Sequence, residues 1–198
     1  MAKYLTTIVL TRRVLVVEGE IIVVIPDFVD GYHLPGYEHE CTIEEIESKF
    51  LNTSERVRVW GLFKGLLFRL ETLGLTPDVL LIDGSFVTGR EAPGDVDFGA
   101  LIKPDAVRRA LSKFTDKHDR EAIIHFGDPS YGEIIRELYG AHMIVVKDND
   151  GLVQASRLFR KGGTYRHLRD PDPVRDPAGV TRPKQKGILR VTLNPQVR

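Results

Sequence analysis

Leu80-Leu81-Ile82-Asp83-Gly84-Ser85-Phe86-Val87-Thr88-Gly89-Arg90-Glu91-Ala92-Pro93-Gly94-Asp95-Val96-Asp97-Phe98-Gly99-Ala100-Leu101-Ile102 places two apolar runs around a Gly-Ser turn and a carboxylate pair. Residues 79–82 form a short β-prone run that fits a buried strand. At Gly84 and Ser85 the chain turns into a short helix, and such a junction aims main-chain N–H groups outward. Glycine lets a phosphate approach the backbone, the serine hydroxyl adds a donor, and a helix N-terminus favours negative charge. Nine residues separate Ser85 from Asp95, where the chain re-enters a strand. Period-two alternation then puts Asp95 and Asp97 on one face and Val96 and Phe98 on the other. Two carboxylates on one edge can share hard cations. Magnesium takes a few carboxylate oxygens, completed by water and substrate phosphates, and a two-metal site stabilises both the attacking and the leaving oxygen of an in-line displacement. Turn chemistry alone would make Gly84-Ser85 and Pro93-Gly94-Asp95 surface turns, but it does not explain two flanking strands with both carboxylates on one face.

The stretch resembles the signature of the nucleotidyltransferase superfamily: Gly-Ser or Gly-Gly after a strand, a short gap, then Asp-x-Asp or Asp-x-Glu between apolar residues. Gly84, Ser85, Asp95 and Asp97 match it. His33-Leu34-Pro35-Gly36, Thr42-Ile43-Glu44-Glu45-Ile46 running to Phe50, and Lys186-Gly187-Ile188 widen the likeness over residues 31–193. With the central block they resemble an uncharacterised family of small bacterial and phage proteins with nucleotidyltransferase-like cores. The resemblance implies an α/β (α+β) fold, a mixed sheet flanked by helices. It also implies that Asp95 and Asp97 hold one or two Mg²⁺ ions, and that Gly84 and Ser85, with Thr88 and Arg90, bind the phosphates of a nucleoside triphosphate.

Two departures from that pattern bear on mechanism. Active members usually carry a third acid on a neighbouring strand, whereas the matching strand here reads Ala141-His142-Met143-Ile144-Val145-Val146, with His142 at the place of the acid. In the site, His142 could act as a base near neutral pH or ligate a softer metal; as a lone histidine at a strand start it could equally be structural. Minimal nucleotidyltransferases often have an arginine in the turn after Gly-Ser, where this chain has Thr88 and, two places on, Arg90.

Other phosphate and hydrolase motifs are excluded. Gly84 to Gly89 and Gly89 to Gly94 have P-loop glycine spacing, but Arg90-Glu91 and Asp95-Val96 follow where Lys-Ser/Thr is required. There is no G-x-G-x-x-G after a strand, no G-x-S-x-G elbow and no H-E-x-x-H, and the remaining histidines show no metal-ligand spacing.

At 198 residues and 42% hydrophobic content the chain can bury one substantial core. Its single cysteine, Cys41, excludes an internal disulfide and a cysteine-based zinc site, and fits a reducing compartment. Arg12-Arg13 and Glu18-Gly19-Glu20 interrupt the N-terminal apolar stretches, so none reads as a membrane span, and no signal-peptide cleavage pattern follows. The expectation is a cytoplasmic protein that does not engage a membrane.

Zero net charge hides an asymmetry. Residues 17–55 carry about −9 and residues 152–198 about +8. A basic tail can neutralise nucleotide or RNA phosphates, or it can dock on the acidic segment.

Along the chain, residues 6–17 and 21–25 read as a β-hairpin turning at Glu18-Gly19, an extension within residues 1–30 that either adds to the sheet or forms a contact edge. Residues 31–198 form the nucleotidyltransferase-like domain. Thr42 and Glu45 make a capping box for a short helix to Phe50. A longer helix starts at Ser54, with Val59, Trp60, Phe63, Leu66, Leu67, Leu70 and Leu73 as its core face and Gly74 as its stop. Beyond the motif the reading is helix over 104–117, strand over 122–126, helix over 129–139, strand over 141–146 and helix over 152–160. A mobile loop near 162–185 and a closing strand over 187–193 complete it.

The functional expectation is a Mg²⁺-dependent nucleotidyltransferase in which Asp95, Asp97 and Ser85 serve the chemistry. It would move a nucleotide from an NTP to a hydroxyl of RNA, with a tRNA end as one option, or of a partner protein, the latter in keeping with superfamily members in toxin–antitoxin and phage-defence systems. The competing expectation is a catalytically impaired protein on the same fold, acting as an antitoxin, nucleotide sensor or scaffold.

Overall fold

In this computed structural model the described residues are 14–17, 20–23, 25–161 and 185–194, the first two segments by their backbone alone. Five strands form one mixed sheet in the order β3 (Glu38–Glu40), β7 (Ile188–Thr192), β4 (Val79–Asp83), β5 (Val96–Leu101), β6 (Ala141–Val146). β4 runs antiparallel to both neighbours, while β3 and β7, and β5 and β6, pair in parallel. The mixed α/β class expected from the sequence is therefore present.

Strand alternation assigns the sheet two covered faces. Leu80, Ile82, Val96, Phe98, Ala100, Ala141, Met143 and Leu189 pack in one core together with residues of α1 (Ile43–Phe50), α2 (Ser54–Thr72), α4 (Lys117–Gly127) and α5 (Gly132–Tyr139). Val79, Leu81, Leu101, Val146 and Ile188 pack on the other face, against Leu152, Ala155 and Phe159 of α6 (Asn149–Arg160). Because both faces are covered, β4 is buried at every residue, which is why its sequence is continuously apolar up to Asp83.

α2 anchors the loop that follows β4. Thr53 caps it by accepting from the Arg56 N–H, and Val59, Trp60, Phe63, Leu66 and Leu70 are buried along one face. Phe86, from the 3-10 turn Ser85–Val87, stacks on Trp60 at 5.2 Å between ring centroids. Burying a side chain of this size is worth about 1.5–3 kcal/mol, enough to pin the turn against the helix.

Several elements differ from the sequence reading. Residues 122–126 are helix, not strand: Asp116 accepts from the N–H groups of His118 and Asp119 and starts α4, whose buried residues Ile123 and Phe126 are three apart, a helical spacing. The preceding helix, α3 (Pro104–Lys113), accordingly ends earlier than expected, and residues 129–131 are a 3-10 turn ahead of α5. β3 went unread because Glu38-His39-Glu40 has no apolar alternation, as suits a short edge strand. The capping box on α1 forms as expected, with Thr42 and Glu45 satisfying each other's N–H groups.

At the N-terminal side, β1 (Val14–Val17) and β2 (Glu20–Val23) pair antiparallel with Val17 opposite Glu20. They form a two-stranded sheet of their own and add no strand to the larger one. The first part of the expected hairpin, 6–13, and its turn at 18–19 lie outside the described residues, as does the proposed mobile loop except at Gln185. Gln185 forms an isolated antiparallel bridge with Lys161. Among the described residues, no helix is long and apolar enough to cross a membrane.

Candidate functional site

Register brings the chemistry-bearing residues together. Asp83 at the end of β4 lies opposite Asp97 on β5, and Asp97 lies beside His142 on β6. Strand parity places all three on the α6 face of the sheet. α6 packs on that face as far as Gly99, where Phe159 approaches, and Asp97, two residues before Gly99 on β5, is partly exposed. Continuing the alternation one residue ahead of β5 assigns the half-buried Asp95 to this face, and its carboxyl lies near enough to Asp97 for the two charges to repel.

His142, at the position the sequence offered for a third site residue, lies with its Nδ1 3.1 Å from Asp97 Oδ1. That hydrogen bond is the main reason the imidazole pKa is raised, against the opposing effect of burial. On the far side of the ring, Glu133 Oε1 is 4.0 Å from His142 Nε2. Asp95 meets a cation that the sequence reading missed: Arg136 Nε on α5 donates to its Oδ2 at 2.8 Å. Burial and the neighbouring Asp97 raise the Asp95 carboxyl pKa, and Arg136 partly offsets them.

Asp83 is closed off altogether. Lys186 Nζ donates to its Oδ2 at 3.0 Å and lies 2.8 Å from Oδ1, with both side chains largely buried. Burial pushes the Asp83 carboxyl upward and the ammonium pulls it back. Lys186 is held from behind, since its N–H donates to the Arg160 carbonyl and the next amide, Gly187 N–H, donates to the Leu34 carbonyl. A Cβ on Gly187 would stand 2.3 Å from the Pro35 carbonyl oxygen. The His33-Leu34-Pro35-Gly36 and Lys186-Gly187-Ile188 segments, far apart in sequence, are thus one packed unit.

The Gly-Ser turn has the expected form. Gly84 has φ +78°, and a Cβ there would stand 2.0 Å from Asp97 Oδ2, so only glycine allows the turn and the carboxylate to coexist. Thr88 Oγ1 donates to the Ser85 carbonyl at 2.8 Å and accepts from the Arg90 N–H, so its hydroxyl is spent inside the loop and not aimed at a ligand. The carbonyls of Phe86, Thr88 and Arg90 all accept from Arg56, a buried guanidinium that closes the turn from below. Among the described residues, the Ser85 hydroxyl and the amides of Ser85 and Phe86 donate no hydrogen bond, while the Val87 amide belongs to the 3-10 turn.

Other candidate histidines serve the scaffold. His33 Nδ1 pairs with Asp30, His39 Nε2 with the Pro35 carbonyl, and His125 stacks on Tyr131. Cys41 is largely buried, which pushes its thiol up to about 12. Part of the basic tail does dock on the acidic segment: Arg190 pairs with Glu38 at 3.1 Å, on paired strands.

Residues 26–192 match the profile of a family of unknown function, DUF6932. The chain belongs to that family. The DUF6932 match begins just ahead of the His33 loop and ends with β7, so it spans every residue of the site. No curated protein and no solved structure matches the chain.

Arg136, Lys186, Asp83 and Arg56 were not assigned roles from sequence. Asp83 did carry a signal, a carboxylate closing an otherwise apolar strand beside Gly84, and Lys186 lay in a quoted segment. Arg136 and Arg56 sit on amphipathic helices where an arginine reads as a solvated side chain.

Proposed function

We propose that this chain is a nucleotidyltransferase-like protein that binds a nucleoside triphosphate with Mg²⁺ and transfers the nucleotide to a hydroxyl acceptor. The observation that carries the reading is the junction of Gly84 with Asp97: an open Gly-Ser turn packed directly against the second carboxylate of Asp-x-Asp, as the motif resemblance requires.

The donor set fits magnesium. Among the described residues no group of three or more His, Cys, Asp or Glu side chains could hold a metal ion by itself. Asp95 and Asp97 instead offer hard oxygen donors on one open face, suited to a cation that completes its shell with phosphate oxygens and water. When bound there, Mg²⁺ would neutralise charge on the phosphates.

The Ser85 hydroxyl and the open amides of Ser85 and Phe86 would hold triphosphate oxygens, and the fixed turn supplies these donors without reorganisation. Attack of an acceptor hydroxyl on the α-phosphorus forms a new P–O ester bond and breaks the α–β anhydride, and pyrophosphate leaves. Positioning and charge neutralisation supply most of such catalysis. The basic C-terminal region favours an RNA acceptor, a tRNA end included, over a partner-protein side chain.

A second reading has its own observation. His142 stands at the third acid's place and Arg136 is paired with Asp95, an arrangement suited to a nucleotide-binding antitoxin, sensor or scaffold with no turnover. The test is label transfer: each α-³²P-labelled NTP is incubated with Mg²⁺, the protein and either total RNA or a cell lysate. Label on RNA or protein, lost with Asp97→Asn, supports the transferase. Nucleotide binding without label transfer selects the second reading.

A further inference from the structure

Three cations stand at the site with described contacts, and they differ in how firmly they are held. Lys186 is enclosed with Asp83, and Arg56 is buried among main-chain carbonyls. Arg136 is the exception, with 47% of its side chain exposed and its Nε on Asp95. Its Nη1 is 3.9 Å from Glu133 Oε2, itself an exposed side chain on the same helix. An exposed ion pair of this kind contributes little to stability because water competes for both partners. A triphosphate carries several negative charges and offers an arginine bidentate oxygen pairs, which makes it the stronger partner.

The carboxylate that Arg136 holds is one of the two that would bind Mg²⁺. A guanidinium on Asp95 Oδ2 and a metal ion on the same carboxylate are competing cations. Loading the site therefore requires Arg136 to leave Asp95, and an arginine released beside incoming phosphates has a new partner within reach.

Resting on the reading above, we infer that Arg136 is a phosphate ligand held in reserve. Without nucleotide its guanidinium neutralises Asp95. With nucleotide it moves onto the triphosphate and leaves the carboxylate to the metal. Arg136 thus opposes binding of the metal alone and favours binding of metal and triphosphate together, which couples the two ligands.

That coupling gives opposite signs to two measurements on one substitution. The full chain is titrated with Mn²⁺ alone, followed by electron paramagnetic resonance of the free ion, and with inorganic triphosphate in the presence of Mg²⁺, followed by calorimetry. Inorganic triphosphate removes any dependence on the base. Arg136→Ala is expected to bind Mn²⁺ severalfold more tightly than the wild type and triphosphate about tenfold more weakly, the size of a lost charge-assisted hydrogen bond. Arg136→Gln, which keeps much of the side chain's bulk, is expected to show the same pair of shifts and serves if the alanine variant does not fold. A wild type that binds both probes, with variants in which both affinities fall, both rise or neither changes, would overturn the inference. A wild type that binds neither probe would instead overturn the carboxylate site itself, and the inference with it.

Discussion

Asp83 and Asp95 are both aspartates on one face of the same sheet, each paired with a cation from a distant segment, yet they are different kinds of object. Asp83 and Lys186 are 8% and 11% exposed, whereas in the second pair Asp95 is 14% exposed and Arg136 is 47% exposed. The first pair is walled in by β7 and the His33 loop, so neither charge has an alternative partner. The second opens to solvent through its arginine. Burial, not charge or distance, separates an ion pair that belongs to the architecture from one that ligand can exchange. Asp97 lies between them, packed on Gly84 on one side and hydrogen-bonded to His142 on the other.

The largest effect expected from this contrast is in Lys186→Met. It leaves Asp83 buried without a cation, and global stability in denaturant titration should fall by about 3–5 kcal/mol. Adding Asp83→Leu removes the stranded charge and should recover most of that loss. A fall below about 1 kcal/mol in the single variant would mean that the pair is not closed off.

Gly84→Ala acts where the two regions meet. The positive φ and the clash with Asp97 should together cost about 1–3 kcal/mol, and Asp97 should be displaced from its hydrogen bond with His142. The displacement is visible as a shift in the His142 imidazole resonances.

Arg136→Ala and Asp95→Asn should each change stability by no more than about 1 kcal/mol, in contrast to Lys186→Met. If Arg136→Ala destabilised the fold as much as Lys186→Met, the distinction between the two pairs would collapse.

The smallest effect concerns Asp30, whose partner His33 is buried while Asp30 itself is half exposed. Burial alone would raise the carboxyl, but hydrogen bonds from His33 and the Tyr32 N–H outweigh it and lower the pKa to about 2. The group's contribution is therefore present above the unfolded value of 3.8 and is lost as pH falls through about 2. Asp30→Asn should lower stability at neutral pH by less than about 1 kcal/mol, because Asp30 is half exposed, and flatten the acid end of the stability curve between those values.

How much of this was legible in the sequence follows from how local each signal is. The Gly-Ser turn, the alternation of Asp95 and Asp97, the strand carrying His142 and the α1 capping box are read from neighbours within a few residues, and the structure has them. The stretch at 122–126 misled because Ala122, Ile123, Ile124 and Phe126 look β-prone, while the deciding group, the cap at Asp116, lies outside the run. The partners of the site were hidden for a different reason. Arg136 meets Asp95 across 41 positions and Lys186 meets Asp83 across 103, and nothing local encodes such pairings.

The most direct test of the central claim is isothermal titration of the wild type and of an Asp95→Ala, Asp97→Ala double variant with each ribonucleoside triphosphate, with and without Mg²⁺. Binding of one NTP that requires Mg²⁺ and is lost in the folded double variant is the expected result. No Mg²⁺-dependent binding of any NTP to the wild type, or binding that survives in the double variant, would contradict it.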